Sequence, residues 1–237
     1  MTDPEPQVLV VGAGPTGLLL AAELERRGVG CLLIDALDAP RGWDRATVVH
    51  ERSLQILDAL GIVDALLDAG VRTRASRIYS DGALLGEVDL GLTGGRYGFQ
   101  VGVSEEVTEA VLTAHLEAVG GRVTRSTALV GLQVDEDAVT ATLERDGERR
   151  EVVVGWVVGC DGMHSAVREA VGIGFPGADI DARWGVFDAT LDGWSDDFDV
   201  VFAHLDRPPV ILTPLPGRRW RVYLRPSSET SDLVTEA

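Results

Sequence analysis

The sequence is 237 residues long and carries 38 acidic against 21 basic side chains, which gives a formal net charge of −17 at pH 7. So acidic a chain repels phosphate backbones and anionic lipid surfaces, and we expect neither nucleic acid nor a membrane as a partner. Hydrophobic residues make up 45% of the chain, enough for the core of one large or two small domains. No apolar run is long enough to span a bilayer. The short, acidic N terminus does not resemble a secretory signal, so we expect a cytoplasmic protein.

The first 35 residues predict a βαβ unit. The apolar run 8–11 is typical of a buried parallel strand. Residues 18–27 have the spacing of an amphipathic helix, which Gly28 would end. A second buried strand is predicted for 31–35.

The turn after the first strand has the spacing GxGxxG. Gly12 would make the turn, Gly14 would admit a pyrophosphate, and Gly17 would let the helix pack closely against the strand. The N terminus of the helix would then face the anion. Asp35 ends the second strand, where its carboxylate can accept hydrogen bonds from ribose hydroxyls and would repel a 2′-phosphate. The pattern predicts FAD or NAD rather than NADP, and a coincidental glycine turn is the alternative.

The middle of the chain has a different pattern of predicted secondary structure from the βαβ unit. Residues 39–46 are rich in turn-forming residues, and a helix is predicted for 51–60. Short strands with glycine-rich connections are predicted over 77–100, which suggests an excursion out of the nucleotide-binding layer. A further helix is predicted for 105–119.

From residue 122 the pattern is again that of strands. The alternating segments 138–143 and 151–154 predict a hairpin with a tight turn at Asp146-Gly147. A buried strand over 156–160 then leads into Asp161-Gly162. After residue 176 the pattern predicts four more strands, over 186–191, 200–205, 209–215 and 220–224.

The spacing of the cysteines and histidines indicates neither a metal site nor a nucleophilic catalytic site. Cys31 and Cys160 lie in apolar segments without a CxxC spacing, which favours buried, reduced thiols over a disulfide or a metal pair. The four histidines are scattered, and no Ser/His/Asp or Cys/His arrangement is visible. We therefore predict no metal site.

Three stretches together resemble the FAD-dependent aromatic hydroxylases of the para-hydroxybenzoate hydroxylase type. They are the glycine loop at 12–17, the segment 41–60, and Cys160-Asp161-Gly162 with the residues up to 168. The segment 41–60 contributes Arg45-Ala46 and Arg52-Ser53-Leu54. The segments 175–177 and 221–226 are most similar to bacterial hydroxylases that act on aromatic polyketides. The resemblance implies an α/β fold with a Rossmann-like FAD-binding domain, made of a parallel sheet and a β-meander, over 1–175, and part of a β-rich substrate domain over 176–237.

The resemblance also implies a set of site residues. Cofactor contacts would come from Gly12, Gly14, Pro15, Thr16, Gly17, Asp35, Ala36, Arg45, Leu129, Asp161 and Gly162. Leu129 would lie against the adenine, and Asp161 would contact the ribityl or pyrophosphate region. Asp161 could also cap the helix predicted for 165–171. Substrate contacts would come from Val48, Trp184 and Tyr223, for which packing within a sheet is the alternative, above all for Trp184.

Arg45 is the candidate catalytic residue. Its guanidinium would reach the flavin, where it can offset the phosphates and the negative charge of a reduced flavin, although a surface ion pair is the alternative. One position departs from the family: Glu105 stands where a glutamine is usual. An acid there would oppose the phosphates, so Glu105 is a doubtful cofactor ligand.

The function implied is that of a flavin monooxygenase. FAD would be reduced by NADH or NADPH and would react with O₂ to a C4a-hydroperoxide that hydroxylates an aromatic, polyketide-like small molecule. The protein would orient the substrate and exclude water. The alternatives are an NAD-dependent dehydrogenase, a non-enzymatic flavin or nucleotide-binding module, and another flavoenzyme of the same superfamily, such as a halogenase or a reductase.

A third family fingerprint, a Gly-Asp motif on a strand before a long helix, does not follow Leu224. We therefore expect a fragment, or one part of an assembly in which a second chain or segment carries that motif. The chain purified alone should retain little FAD, because its sheet edge and core would be incomplete. Association into a homodimer is a further expectation.

Overall fold

The computed structural model describes residues 6–42, 46–179, 183–194 and 197–225. The chain forms two compact units. The first combines Met1–Gly42 with Thr108–Ala178, and the second combines Trp43–Val107 with Asp179–Ala237. Within the described ranges, no helix is long and apolar enough to cross a membrane.

Strands dominate the described structure, and five α-helices are interspersed among them. In chain order the elements are β1 (Val8–Val11), α1 (Pro15–Arg26), β2 (Cys31–Ile34), β3 (Val48–Val49), α2 (Glu51–Ala59), α3 (Val63–Ala69), β4 (Val71–Thr73), β5 (Ala75–Ser80), β6 (Ala83–Asp89), β7 (Gln100–Gly102), α4 (Glu105–Ala118), β8 (Val123–Thr124), β9 (Ala128–Val134), β10 (Val139–Arg145), β11 (Glu148–Val154), β12 (Trp156–Gly159), α5 (Ala166–Ala170), β13 (Gly185–Ala189), β14 (Val200–His204), β15 (Val210–Leu215) and β16 (Arg219–Leu224). Short 3-10 turns lie at Leu90–Thr93 and Gly162–His164.

The first unit is built on a parallel sheet with the strand order β12-β1-β2-β8. All four residues of β1 are buried, because the strand has a neighbour on each side and is covered on both faces. The predicted βαβ unit is confirmed. The helix α1 begins at Pro15, three residues before the predicted start, because a proline is well suited to the first helical position: its φ is already helical and no N–H is needed there.

An antiparallel meander of β9, β10 and β11 completes the first unit. One face of the meander packs on the parallel sheet in a core of apolar side chains: Leu9, Val11, Ile34, Leu129, Ala141, Leu143 and Val154. The predicted hairpin turn is confirmed at Asp146 and Gly147, whose φ values are 54° and 79°. Two positive φ values in succession match the right-handed twist of a two-residue hairpin.

The second unit contains a six-stranded sheet with the order β13-β16-β15-β14-β5-β6 and a three-stranded sheet with the order β3-β7-β4. In the larger sheet, only the β14–β5 pair is parallel. Successive side chains of a strand point to opposite faces. Val200 and Phe202 of β14 therefore lie in an aromatic core with Trp220, whereas Val201 lies on the opposite face.

Two features of this region differ from the sequence analysis. The helix α3 and the strand β4 were not predicted, because seven and three residues are too short to show a clear hydrophobic period. The second unit also takes in all of 43–107, a longer stretch than the predicted excursion over 77–100. The assignment of a cofactor domain to 1–175 and a substrate domain to 176–237 stays a prediction.

Candidate functional site

The glycine loop between β1 and α1 is closed too tightly for side chains at two of its glycines. Gly12 has a φ of 99°, and a Cβ there would lie 2.5 Å from the carbonyl oxygen of Cys160. A Cβ on Gly17 would lie 1.9 Å from the carbonyl oxygen of Gly12. Gly14 is different, since the nearest atom to its Cβ position is Glu109 Oε1 at 3.8 Å. The turn is therefore compact, while Gly14 leaves room for a ligand to approach its backbone.

The Asp161 segment lies directly beside this loop. The strands β1 and β12 are parallel neighbours, and the Cys160 N–H donates to the carbonyl oxygen of Val11 at 2.7 Å. A Cβ on Gly12 would also lie 2.8 Å from the Cα of Asp161. The structure thus brings the two motifs together at the carboxyl edge of the parallel sheet, which is where open α/β sheets bind ligands.

The two carboxylate oxygens of Asp161 have different surroundings. Oδ2 accepts a hydrogen bond from the Val167 N–H at 3.1 Å. Oδ1 is buried and has no hydrogen-bond partner within the described part of the protein. The N-cap of α5 is Ser165, whose Oγ accepts from the Arg168 N–H at 3.0 Å. Asp161 therefore supports the first turn of α5 with one oxygen, while its other oxygen lies 3.1 Å from the Cβ position of Gly159.

Asp35 braces the glycine loop from the end of β2. Its Oδ2 accepts from the Ala13 N–H at 2.7 Å, and its Oδ1 accepts from the Leu37 N–H at 2.9 Å. A guanidinium nitrogen of Arg125 lies 3.9 Å from Oδ2. The sequence analysis did not single out Arg125, which comes to this place through the pairing of β2 with β8. The carboxylate keeps lone pairs that a ribose hydroxyl could use.

The second unit contains a cavity of about 410 Å³ on one face of the six-stranded sheet. Its lining comprises Ala46, Thr47, Val48, His50, Ser76, Gln100, Val201, Ile211, Thr213 and Tyr223. Two of the predicted substrate contacts, Val48 and Tyr223, are in this set. The third, Trp184, is not, and its side chain is 43% exposed. The other lining residues were missed because they are far apart in the chain, in the segment around β3 and on the strands β5, β7, β14 and β15.

A hydrogen bond shared by the Thr47 and Tyr223 hydroxyls joins two walls of the cavity. Thr47 is buried and follows closely after the predicted catalytic residue Arg45. Arg45 itself lies outside the described residues. His50 lies at the start of α2 and is exposed at the edge of the cavity.

The remaining predicted cofactor residues differ in their exposure to solvent. Pro15 is the first residue of α1, and Thr16, Ala36 and Gly162 are exposed. Leu129 is buried in the core between the meander and the parallel sheet. The structure leaves their contacts with a cofactor as predictions.

The two cysteines are free thiols and only partly buried. Burial raises the pKa of both, that of Cys31 to about 12. Within the described residues, no group of three or more His, Cys, Asp or Glu side chains is arranged to hold a metal ion.

Comparison with known proteins names the family. Residues 5–232 match the model of a family described as a FAD binding domain. The chain belongs to this FAD-binding family.

Relatives of this FAD-binding domain include monooxygenases. Pentachlorophenol 4-monooxygenase of Sphingobium chlorophenolicum is 34% identical over 226 residues, which cover 92% of this chain and 41% of the relative. 6-Methylpretetramide 4-monooxygenase of Streptomyces rimosus is 35% identical over 219 residues, covering 91% and 39%. The solved structure of an anhydrotetracycline hydroxylase of Streptomyces rimosus matches with a TM-score of 0.78 at 28% identity, covering 94% of this chain and 45% of that one. The chain spans about two fifths of the length of these curated relatives.

The geometry of the FAD-binding domain fits its cofactor. The first N–H groups of α1 have no partner within a helix and suit a pyrophosphate. The Cβ position of Gly14 has no atom closer than 3.8 Å, and the partly buried Asp161 lies directly beside the loop. The donor and acceptor set therefore matches a dinucleotide that carries both phosphates and hydroxyls.

Proposed function

We propose that this FAD-binding domain is part of a monooxygenase that uses NADH or NADPH and O₂ to hydroxylate an aromatic, polyketide-like small molecule. The observation that carries the proposal is the contact of the glycine loop with the Asp161 segment, which brings both motifs to the carboxyl edge of the parallel sheet. A plain NAD-binding βαβ unit gives no reason for an Asp-Gly segment beside the loop. The names of the relatives, which include monooxygenases for pentachlorophenol and 6-methylpretetramide, support the choice of reaction and of substrate.

The residues of the chain have distinct tasks in this proposal. Bound FAD supplies the redox chemistry that links NAD(P)H and O₂ to the hydroxylation of a ring. The amides at the start of α1 bind the pyrophosphate, Asp35 accepts from the adenosine ribose, and Asp161 accepts from the ribityl region. Arg45 balances negative charge at the flavin as the catalytic residue. The aliphatic and hydroxyl-bearing side chains around the cavity hold the ring and exclude water.

The proposal also covers the organisation of the enzyme. The first unit binds FAD, and the second unit binds the aromatic substrate. Because the chain spans about two fifths of its curated relatives, we include in the proposal a further segment or second chain that carries the Gly-Asp motif. Association of two copies remains a prediction.

The experiment that tests the proposal is a titration of the chain with FAD, followed by flavin fluorescence, for two matched variants. Asp161→Asn can keep its oxygen on the Val167 N–H, but it presents an amide donor where Oδ1 stood. We expect the affinity for FAD to fall about tenfold, since a hydrogen bond to a charged group is worth about 1.5–3 kcal/mol. Ser165→Ala removes the cap of α5 and should cost about 1 kcal/mol of stability with the FAD affinity unchanged.

Activity is then measured as NAD(P)H oxidation stimulated by a phenol, with the corresponding C-terminal segment of a relative supplied in trans. Wild-type affinity for FAD in Asp161→Asn would show that Oδ1 has no part in cofactor binding. Flavin binding without any phenol-stimulated oxidation would favour a non-enzymatic module. Binding of NAD in place of FAD would favour a dehydrogenase.

A further inference from the structure

The described lining of the cavity in the second unit combines uncharged polar side chains with aliphatic ones, and one histidine lies at its edge. Its polar members are uncharged hydroxyl or amide side chains, namely Thr47, Ser76, Gln100, Thr213 and Tyr223. Its aliphatic members are Val48, Val201 and Ile211. His50 is exposed at the edge. Among the described residues of the lining there is no arginine, lysine, aspartate or glutamate.

A guanidinium on the same face of the sheet is already paired with a carboxylate. Arg221 lies two residues before Tyr223 on β16, so its side chain points to the same face. It is buried, and its Nε lies 2.6 Å from Asp188 Oδ1 and its Nη2 3.3 Å from Asp188 Oδ2. This two-point contact balances the charge of Arg221, so a ligand carboxylate would have to displace Asp188 to reach it.

A second guanidinium close to the lining is engaged on the other face. Arg77 follows Ser76 on β5 and therefore points away from the cavity. Its guanidinium pairs with Glu87 and Asp197. Neither of these arginines offers an unbalanced positive charge to a ligand in the cavity, and the proposed function assigns the charge of Arg45, which lies outside the described residues, to the flavin.

These surroundings select for uncharged ligands. A carboxylate placed there would lose hydration without gaining a cation, which is costly, whereas phenol and ketone groups can exchange hydrogen bonds with hydroxyl and amide side chains. The volume of about 410 Å³ lies in the range of about 300–1,000 Å³ that is typical of small-molecule sites. At roughly 30 Å³ for each water-sized group, it has room for about a dozen non-hydrogen groups, or about two fused rings with substituents.

We infer that the substrate is an uncharged phenol of up to about two fused rings, and that aromatic carboxylates are rejected. This inference rests on the proposed function and specifies the substrate class of the same enzyme. We assign Gln100 as the specificity-determining residue, because it lines the cavity from β7 and its side chain has nearly the length of a cationic one.

The test uses two probes of equal shape, 6-hydroxy-2-naphthamide and 6-hydroxy-2-naphthoate, in equilibrium dialysis with the full chain at pH 7.5, with and without FAD. We expect the amide to bind at least about tenfold more tightly than the carboxylate. Gln100→Arg should reverse the preference by adding a cation to the lining. The matched control Gln100→Met should keep the preference for the amide. If Gln100→Arg lowers the melting temperature, His50→Arg at the exposed edge provides a second variant for the same comparison.

Equal or tighter binding of the naphthoate to the wild-type chain would overturn the inference. So would failure of both probes to bind, or an unchanged preference in folded variants with the added arginine. A failure of the proposed function would be seen differently, as absence of FAD binding or of phenol-stimulated NAD(P)H oxidation. The dialysis without FAD reports on the cavity alone.

Discussion

Replacing Gly17 by alanine should force α1 away from the glycine loop. The added Cβ would lie 1.9 Å from the carbonyl oxygen of Gly12 and 3.3 Å from the Cβ of Cys160. The obstructing oxygen belongs to the backbone, so it cannot turn aside as a flexible side chain can. The helix must therefore move by about 1 Å or more to reach an ordinary contact distance.

Two opposing effects determine how much Gly17→Ala changes the free energy of unfolding. Alanine is favoured over glycine inside a helix by about 1 kcal/mol. Overpacking at a tight contact costs about 1–3 kcal/mol, and a backbone obstacle places this site at the upper end. We expect Gly17→Ala to lower the free energy of unfolding by about 2 kcal/mol. We also expect the affinity for FAD to fall about tenfold or more, since the moved helix no longer presents its amides to the pyrophosphate.

The assay is urea denaturation followed by circular dichroism, together with an FAD titration. Gly30→Ala is the matched control, because a Cβ at Gly30 meets nothing within 4 Å and its φ is not in the left-handed region. The control should equal the wild type in both measurements. A Gly17→Ala variant as stable as the control and with wild-type FAD affinity would refute the reasoning, since it would show that α1 can shift at no cost.

Three further predictions concern other sites. Asp188→Ala leaves the buried Arg221 without its two-point partner and should lower the free energy of unfolding by about 3 kcal/mol in urea; a change below about 1 kcal/mol would show that water replaces the carboxylate. Tyr223→Phe removes the hydrogen bond to Thr47 and should cost about 1 kcal/mol, and adding Thr47→Val should cost little more if the two hydroxyls act as a pair. Burial, helped by the charge of Glu25, raises the pKa of Cys31 from 9.0 to about 12. The stability that this thiol contributes is present below pH 9 and is lost as the pH rises toward 12, so Cys31→Ala should show a shallower loss over that interval; identical curves would contradict the assignment.

Local sequence patterns were sufficient to predict the strands and the glycine turn of the candidate cofactor site. The strands β1 and β2, the glycine turn and the strand before Asp161 were predicted to within a residue or so, because each depends on hydrophobic runs and turn residues that are neighbours in the chain. The start of α1 at Pro15 was missed by three residues, whereas α2 and α4 begin where they were predicted, at Glu51 and Glu105. The short elements α3 and β4 were missed because local patterns carry little information over so few residues.

The cavity depends on a different kind of information. Its described lining comes from six strands and from the segment around β3, and no spacing along the chain relates Ser76, Gln100 and Thr213 to one another. Only strand pairing and the alternation of faces bring them to one wall. Val48 and Tyr223 were predicted as substrate contacts through resemblance to a family and not through any pattern of their own.

The sequence by itself determined that a glycine loop and an Asp-Gly segment are present, that each follows a buried strand, and that the chain belongs with flavoproteins. The tertiary structure alone decided that Gly12 packs against the Asp161 backbone and that one carboxylate oxygen of Asp161 is buried without a partner. The physical reason is that turn and strand preferences act between neighbouring residues, whereas contact and desolvation depend on how β12 pairs with β1 across most of the first unit.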